Sequence, residues 1–133
     1  MKLVSKRVDY ALAALIDLAG SPDKQPMHGS DIAKRNDIPN AYLGQILIEL
    51  KKGGYLDSVR GTNGGYILAK DPGEISVLDV VETLDGGITV LDGPARSRAL
   101  DVFAKEIEGE IKRVLGISIS ALMAREPPIN FVI

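Results

Sequence analysis

Two segments of this chain carry side chains that can recognise DNA bases. Residues 38–47 (IPNAYLGQIL) read as a short amphipathic helix that bears Asn40 and Gln45, and both side-chain types can hydrogen-bond bidentately to adenine. Residues 58–66 (SVRGTNGGY) read as a glycine-tipped hairpin that carries Arg60, and an arginine on a thin hairpin can reach the minor groove. Together the two segments predict the DNA-reading surface of a winged helix-turn-helix.

The predicted reading helix spans residues 39–52. Pro39 suits the first helical turn, and the helix closes with two lysines followed by Gly53 and Gly54. One face carries the apolar positions expected in the core, Leu43, Ile46, Leu47 and Leu50. The other side carries the candidate DNA-contacting residues, Asn40, Ala41, Tyr42 and Gln45. An ordinary solvated polar face is the alternative interpretation.

The predicted wing has strands at residues 55–59 and 66–69. Its connection, residues 61–65, is rich in residues that tolerate positive φ. The candidate minor-groove contacts are Arg60, Gly61, Thr62 and Asn63. A surface salt bridge is the competing role for Arg60. A phosphate-binding loop is disfavoured, because these glycines close a hairpin and do not open a helix.

The first helix is predicted over residues 5–19 and a second, short helix over residues 29–36. Lys6 and Arg7 fall in the first turn of the first helix, where the helix dipole disfavours cations. We therefore predict that both contact DNA phosphates; two solvated charges are the alternative. His28, the only histidine, stands at the weak N-cap of the second helix, and we interpret it as a capping or surface residue and not as a metal ligand.

The C-terminal part is predicted to contain a long dimerisation helix. Ser76 and Asp79 have capping-box spacing and open a helix that ends near Asp85. The longest helix is predicted from Pro94 to Leu115, and its narrow apolar stripe is Leu100, Phe103, Ile107, Ile111 and Val114. Charged residues flank this stripe, which favours a seam with a second chain over packing on the same domain. A small helix from Ser118 and a terminal strand or docking tail at 129–133 follow.

Composition limits the classes of function. The 133 residues include no cysteine, which excludes disulfides, thiol catalysis and cysteine-ligated metal centres. One histidine and the lack of catalytic motifs argue against an enzyme. Neither a membrane span nor a signal peptide is evident, so we expect a cytoplasmic protein. The net charge is −2, but residues 1–71 carry ten basic and eight acidic residues whereas residues 72–133 carry six and ten.

These residues resemble a known family. Residues 5–12 (SKRVDYAL), 38–43 (IPNAYL) and 58–66 look like the motifs of the bacterial winged-helix repressors that include IscR, NsrR and CymR. The resemblance is close over about residues 1–86 and extends in outline to the long helix. It implies a homodimer whose helix from Pro39 enters the major groove while the wing reaches the minor groove.

Two departures limit what this resemblance implies. Cluster-binding members hold an iron–sulfur centre with cysteines in the segment that corresponds to residues 86–93, and this chain has none, so no cofactor is expected. Gly44 stands where members commonly have glutamate, a residue that can accept a hydrogen bond from cytosine N4. The resemblance therefore implies no cytosine contact at this position.

The sequence predicts a mainly α fold with a small β-hairpin. Residues 1–86 form the winged helix-turn-helix domain, and residues 87–133 form a linker, the long dimerisation helix and a tail. The predicted function is a homodimeric repressor that binds a palindromic site in double-stranded DNA. The alternative is a winged-helix protein-interaction module that has lost DNA binding. Whether a small-molecule or protein effector acts on it is left open.

Overall fold

A computed structural model describes residues 2–126, and the predicted tail at 129–133 lies outside them. The described part is mainly helical with one antiparallel hairpin, as predicted. The elements in chain order are α1 (Lys6–Ala19), α2 (Gly29–Arg35), α3 (Asn40–Lys52), β1 (Leu56–Val59), β2 (Gly65–Leu68), α4 (Val77–Asp85), α5 (Arg98–Leu115) and α6 (Ile119–Met123). Within residues 2–126 no helix is long and apolar enough to cross a membrane.

The core lies where α1, α3 and α4 meet. Helix α1 starts after Ser5, whose hydroxyl accepts a hydrogen bond from the Val8 amide at 3.2 Å, and ends at Gly20. One face of α1 is fully buried, because small and large apolar residues recur at helical spacing: Val8, Ala11, Ala14, Leu15 and Leu18. From α4 the core receives Val77, Val80, Val81 and Leu84.

The turn between α2 and α3 is held by side chains. Asn36, the C-cap of α2, donates from Nδ2 to the Ile32 carbonyl at 2.9 Å and to Asp17 of α1 at 2.7 Å. Asp37 adopts a φ of 54°, a conformation that Asp tolerates better than most residues. These contacts fix how α3 leaves α2. His28 occupies the N-cap position of α2, and its side chain makes no capping hydrogen bond.

Helix α4 begins with the predicted capping box. The Asp79 amide donates to the Ser76 hydroxyl and the Ser76 amide donates to the Asp79 carboxylate, each at 3.0 Å. Helix α6 then returns to the same domain: Ile119 is fully buried, and its amide donates to the Ile75 carbonyl at 2.8 Å. The C-terminal end of the described chain is thereby held against the core.

The predicted start of the long helix was wrong. Helix α5 begins at Arg98, four residues after Pro94, and Ser97 is its N-cap. The Ser97 hydroxyl accepts from the Leu100 amide at 3.2 Å, a bond that a proline side chain cannot provide. No residue of α5 is buried.

Candidate nucleic-acid interface

Helix α3 presents an unburied stripe directly opposite its core face. Its core residues, Leu43, Ile46, Leu47 and Leu50, are at most 1% exposed. On the opposite side, at positions spaced by three and four residues, lie Ala41, Gln45, Ile48 and Lys52, all of them exposed. We name these four residues the reading stripe. A helix anchored on one side only can enter a DNA major groove with the other.

Aromatic packing supports the start of α3. The rings of Tyr42 and Tyr10 meet edge to face, with centroids 5.4 Å apart and planes at 83°. Such an arrangement is the favoured one for aromatic pairs. Tyr42 remains partly exposed beside the reading stripe, and Asn40 is exposed at the first turn. The predicted contacts Asn40, Tyr42 and Gln45 therefore all lie on the open side of α3.

Arg7 and Lys6 have different environments. The Arg7 guanidinium donates to the Glu49 carboxylate and so links α1 to α3. The side chains of Arg7 and Glu49 are 38% and 42% exposed, and both line a groove beside Tyr42, Gln45 and Ile48. Lys6 is exposed and forms no salt bridge with any residue in the range 2–126. Arg7 thus already has an anionic partner within the protein.

The wing is held on two sides. Met27, just before α2, exchanges backbone hydrogen bonds of 3.0 and 2.8 Å with Tyr66 in β2. On the other side, Lys51 of α3 donates from Nζ to the Ser58 hydroxyl in β1 at 2.6 Å. The strands pair in register from Leu56 with Leu68 to Val59 with Gly65. The wing and the reading stripe are therefore fixed relative to each other.

Glycines at the wing tip are required by geometry. Gly65 has a φ of 140°, and a Cβ built on it would lie 2.4 Å from the Met27 carbonyl oxygen. At Gly64, a Cβ would lie 2.0 Å from the carbonyl oxygen of Val59. No L-residue with a side chain fits these positions without moving the backbone. Gly65 therefore allows the close approach of the wing to Met27, and Gly64 allows the tight turn within the hairpin itself.

The tip carries the predicted minor-groove contacts. Gly61, Thr62 and Asn63 are exposed at the turn. Arg60 is also exposed, and among the described residues its guanidinium has no salt bridge or side-chain hydrogen bond. The predicted alternative, a surface salt bridge, is thus not seen in residues 2–126. The tip also borders an open groove that is lined by residues 25–28 and by Asp31, Lys34 and Arg35 of α2.

The apolar stripe of α5 faces solvent in the single chain. Leu100, Phe103 and Val114 are 45%, 58% and 62% exposed, while Ile107 and Ile111 are partly covered. Ion pairs flank the stripe: Lys105 with Asp101, Lys112 with Glu108 and Arg113 with Glu110. These pairs support the helix, but they cover little of its apolar surface.

The residues do not fit an iron–sulfur cluster. The chain has no cysteine, and its linker, residues 86–97, has no histidine either. Over the described range, His, Asp and Glu nowhere form a group of three or more that could hold a metal ion. A thiolate-ligated centre therefore has no ligands here.

Sequence reasoning missed the links between elements. The Arg7–Glu49 and Lys51–Ser58 contacts join residues that lie 42 and seven positions apart and belong to different elements. The periodicity of a single helix or strand therefore does not predict them. Ile48 also lies on the outward face of α3. The structure leaves Ile48 43% exposed in the groove shared with Arg7, Gln45 and Lys52.

The fold and this surface define a winged helix-turn-helix regulator. The family described as "Rrf2: Iron-dependent Transcriptional regulator" matches residues 4–124. The chain belongs to the Rrf2 family of transcriptional regulators. Membership confirms the resemblance seen in the sequence, and it confirms the expectation that the chain is not an enzyme.

Individual relatives agree with this assignment. The HTH-type transcriptional regulators IscR of Cronobacter sakazakii and of Klebsiella pneumoniae are each 40% identical over 88 residues, which is 66% of this chain and 54% and 53% of theirs. This chain thus matches only about half the length of these curated relatives.

Known structures match almost the whole chain. CymR, the global cysteine regulator of B. subtilis, superimposes with a TM-score of 0.84 at 26% identity, covering 96% of this chain and 100% of CymR. IscR of T. potens gives a TM-score of 0.77 at 31% identity, covering 96% and 93%. The architecture predicted from the sequence is therefore confirmed.

Proposed function

We propose that this chain is a homodimeric, sequence-specific DNA-binding repressor that needs no iron–sulfur cluster. Helix α3 enters the major groove with the reading stripe, and the wing places Arg60 in the adjacent minor groove. The observation that carries the proposal is the combination of an unburied stripe on α3 with an exposed Arg60 on a wing fixed to it. Lys6 and helix N-termini supply phosphate contacts that set the register.

The second chain is proposed from α5. Its stripe of Leu100, Phe103 and Val114 remains exposed, and leaving such side chains in water forgoes the free energy that burial provides, about 25 cal/mol per Å². Pairing two α5 helices covers these residues. A two-fold dimer presents two reading surfaces, and each binds one half of a palindromic operator, with half-sites about 34 Å apart or a multiple of that distance.

We propose that the chain acts without an iron–sulfur cluster because it has no cysteine to ligate one. The family is described as iron-dependent, but the segment between α4 and α5 supplies no thiolate. Regulation of this chain therefore acts through something other than a cysteine-ligated cluster. A small molecule or a protein partner fills that role in the proposal.

Fluorescence anisotropy tests DNA binding directly. The labelled duplex is the intergenic DNA upstream of the chain's own gene, with a scrambled duplex as control, titrated across a salt series. We expect tight binding to the upstream DNA, a clear preference over the scrambled duplex, and an affinity that falls steeply as the salt concentration rises. Absence of binding to either duplex at low salt would instead favour a protein-interaction module.

A further inference from the structure

Ile48 is an aliphatic residue on the exposed face of α3, where no other part of the described chain covers it. Every other large aliphatic residue of α3 is at most 1% exposed, whereas Ile48 is 43% exposed. It lies between Gln45, one turn earlier, and Lys52, one turn later, on the reading stripe. If this surface faces DNA, contact with an apolar group of the DNA would remove the Ile48 side chain from water, which is favourable.

The major groove offers one apolar group, the 5-methyl of thymine. Gln45 lies three residues before Ile48, about 4.5 Å along the helix axis, which lies between one and two base-pair rises of about 3.4 Å. Glutamine pairs with adenine N6 and N7. The two side chains can therefore address an A·T-containing step, with the amide on adenine and the aliphatic group on a thymine methyl.

A docking surface for another protein is disfavoured by the surroundings. The groove that contains Ile48 is lined otherwise by charged and polar residues: Arg7, Gln45, Glu49 and Lys52, with the aromatic Tyr42 and the buried Ile46 beside them. Protein interfaces centre on contiguous apolar patches, whereas the other apolar residues of this groove are Tyr42, whose ring packs on Tyr10, and the buried Ile46. One methyl-sized partner matches one isolated side chain.

We infer that Ile48 is a specificity-determining residue that contacts the 5-methyl group of one thymine in each operator half-site. The inference rests on the proposed function, because it requires α3 in the major groove. Gln45 fixes the neighbouring adenine, and Lys52 stays at the phosphates. Isoleucine at this position thus selects against the same site with cytosine in place of thymine.

The test uses the full chain and a duplex selected by it from a randomised library. Each thymine of the selected half-site is replaced in turn by deoxyuridine, which removes only the methyl, and dissociation constants are measured by anisotropy. Loss of one buried methyl is expected to weaken binding about fourfold at a single thymine per half-site. Ile48→Ala should bind the thymine duplex more weakly and be indifferent to deoxyuridine at that position.

Controls separate the possible failures. Leu91→Ala truncates another exposed aliphatic residue, in the linker, and should keep the full methyl dependence. Ile48→Val, which retains a branched side chain, should keep most of it. If no duplex is enriched, the proposed function fails and the inference with it. If a duplex is enriched but no deoxyuridine weakens binding, or the weakening persists in Ile48→Ala, the inference alone is overturned.

Discussion

Arg7 of α1 donates a hydrogen bond to the carboxylate of Glu49 on α3, and so an acidic side chain beside the reading stripe is neutralised from the neighbouring helix. Because both side chains are more than a third exposed, the pair contributes at most about 1 kcal/mol to folding. Its larger effect concerns DNA, since an unpaired carboxylate at this place would repel phosphates.

Arg7→Ala is expected to weaken DNA binding mainly by releasing Glu49. If so, the double variant Arg7→Ala/Glu49→Ala should recover most of the lost affinity in anisotropy titrations. The competing role, a direct phosphate contact, makes the opposite prediction: no recovery, and a salt dependence reduced by about one counterion in Arg7→Ala. The double-mutant cycle therefore distinguishes an Arg7 that neutralises Glu49 from an Arg7 that contacts a DNA phosphate directly.

Arg60→Ala should weaken operator binding by about 1–3 kcal/mol, because it removes the guanidinium at the wing tip. The measurement is a titration of the operator duplex at one fixed salt concentration. Arg125→Ala removes an exposed arginine that lies after α6, in a groove with Asp9 and Leu12 of α1, and should leave the affinity unchanged. Equal effects of the two substitutions would assign Arg60 to general electrostatics.

Gly65→Ala should destabilise the fold by about 1–3 kcal/mol, since the new Cβ would lie 2.4 Å from the Met27 carbonyl oxygen at a φ of 140°. Urea unfolding followed by circular dichroism measures the change. Gly87→Ala is the matched control, because a Cβ there has no atom within 4 Å. A Gly65→Ala protein of unchanged midpoint would show that the wing can move away from Met27.

Ile107→Asp should convert the proposed dimer to monomers in sedimentation velocity, because it places a charge in the middle of the α5 stripe. Val102→Asp makes the same chemical change on another face of α5, at a residue that is 47% exposed, and should leave the dimer intact. Dimers of Ile107→Asp with native circular dichroism would place the contact between chains elsewhere.

Protein purified without oxygen should contain no stoichiometric iron or sulfide, since the chain has no thiolate. Iron and acid-labile sulfide assays measure this directly, and operator affinity should be the same before and after treatment with a chelator. Bound iron at one equivalent, lost together with DNA affinity, would contradict cluster independence.

Local signals in the sequence predicted most of the elements. The capping box at Ser76 and Asp79, the apolar spacing of α1 and α3, and the glycines of the wing are each contained within a few neighbouring residues. Such signals depend on local hydrogen bonds and periodic burial, which a single chain segment displays by itself. The helices and the hairpin were therefore predictable.

Contacts between distant segments could not be predicted in this way. Arg7 was expected to contact a phosphate, because its helix-start position is unfavourable for a cation; its partner Glu49 lies on another helix. The start of α5 was misplaced, because Pro94 suits a first turn as well as Ser97 suits an N-cap, and only the backbone path distinguishes them. Which predicted residues touch DNA depends likewise on a partner that the sequence does not contain.

The double attachment of the wing, to Met27 through the backbone and to Lys51 through Ser58, has a consequence for control. A wing tied at both flanks has little freedom to open or close by itself. Each protomer of the proposed dimer then presents α3 and the wing as one rigid DNA-reading surface. What can change is the distance between the two surfaces. In the proposed dimer, a signal would alter operator binding by changing this distance, while the shape of each DNA-reading surface stays the same.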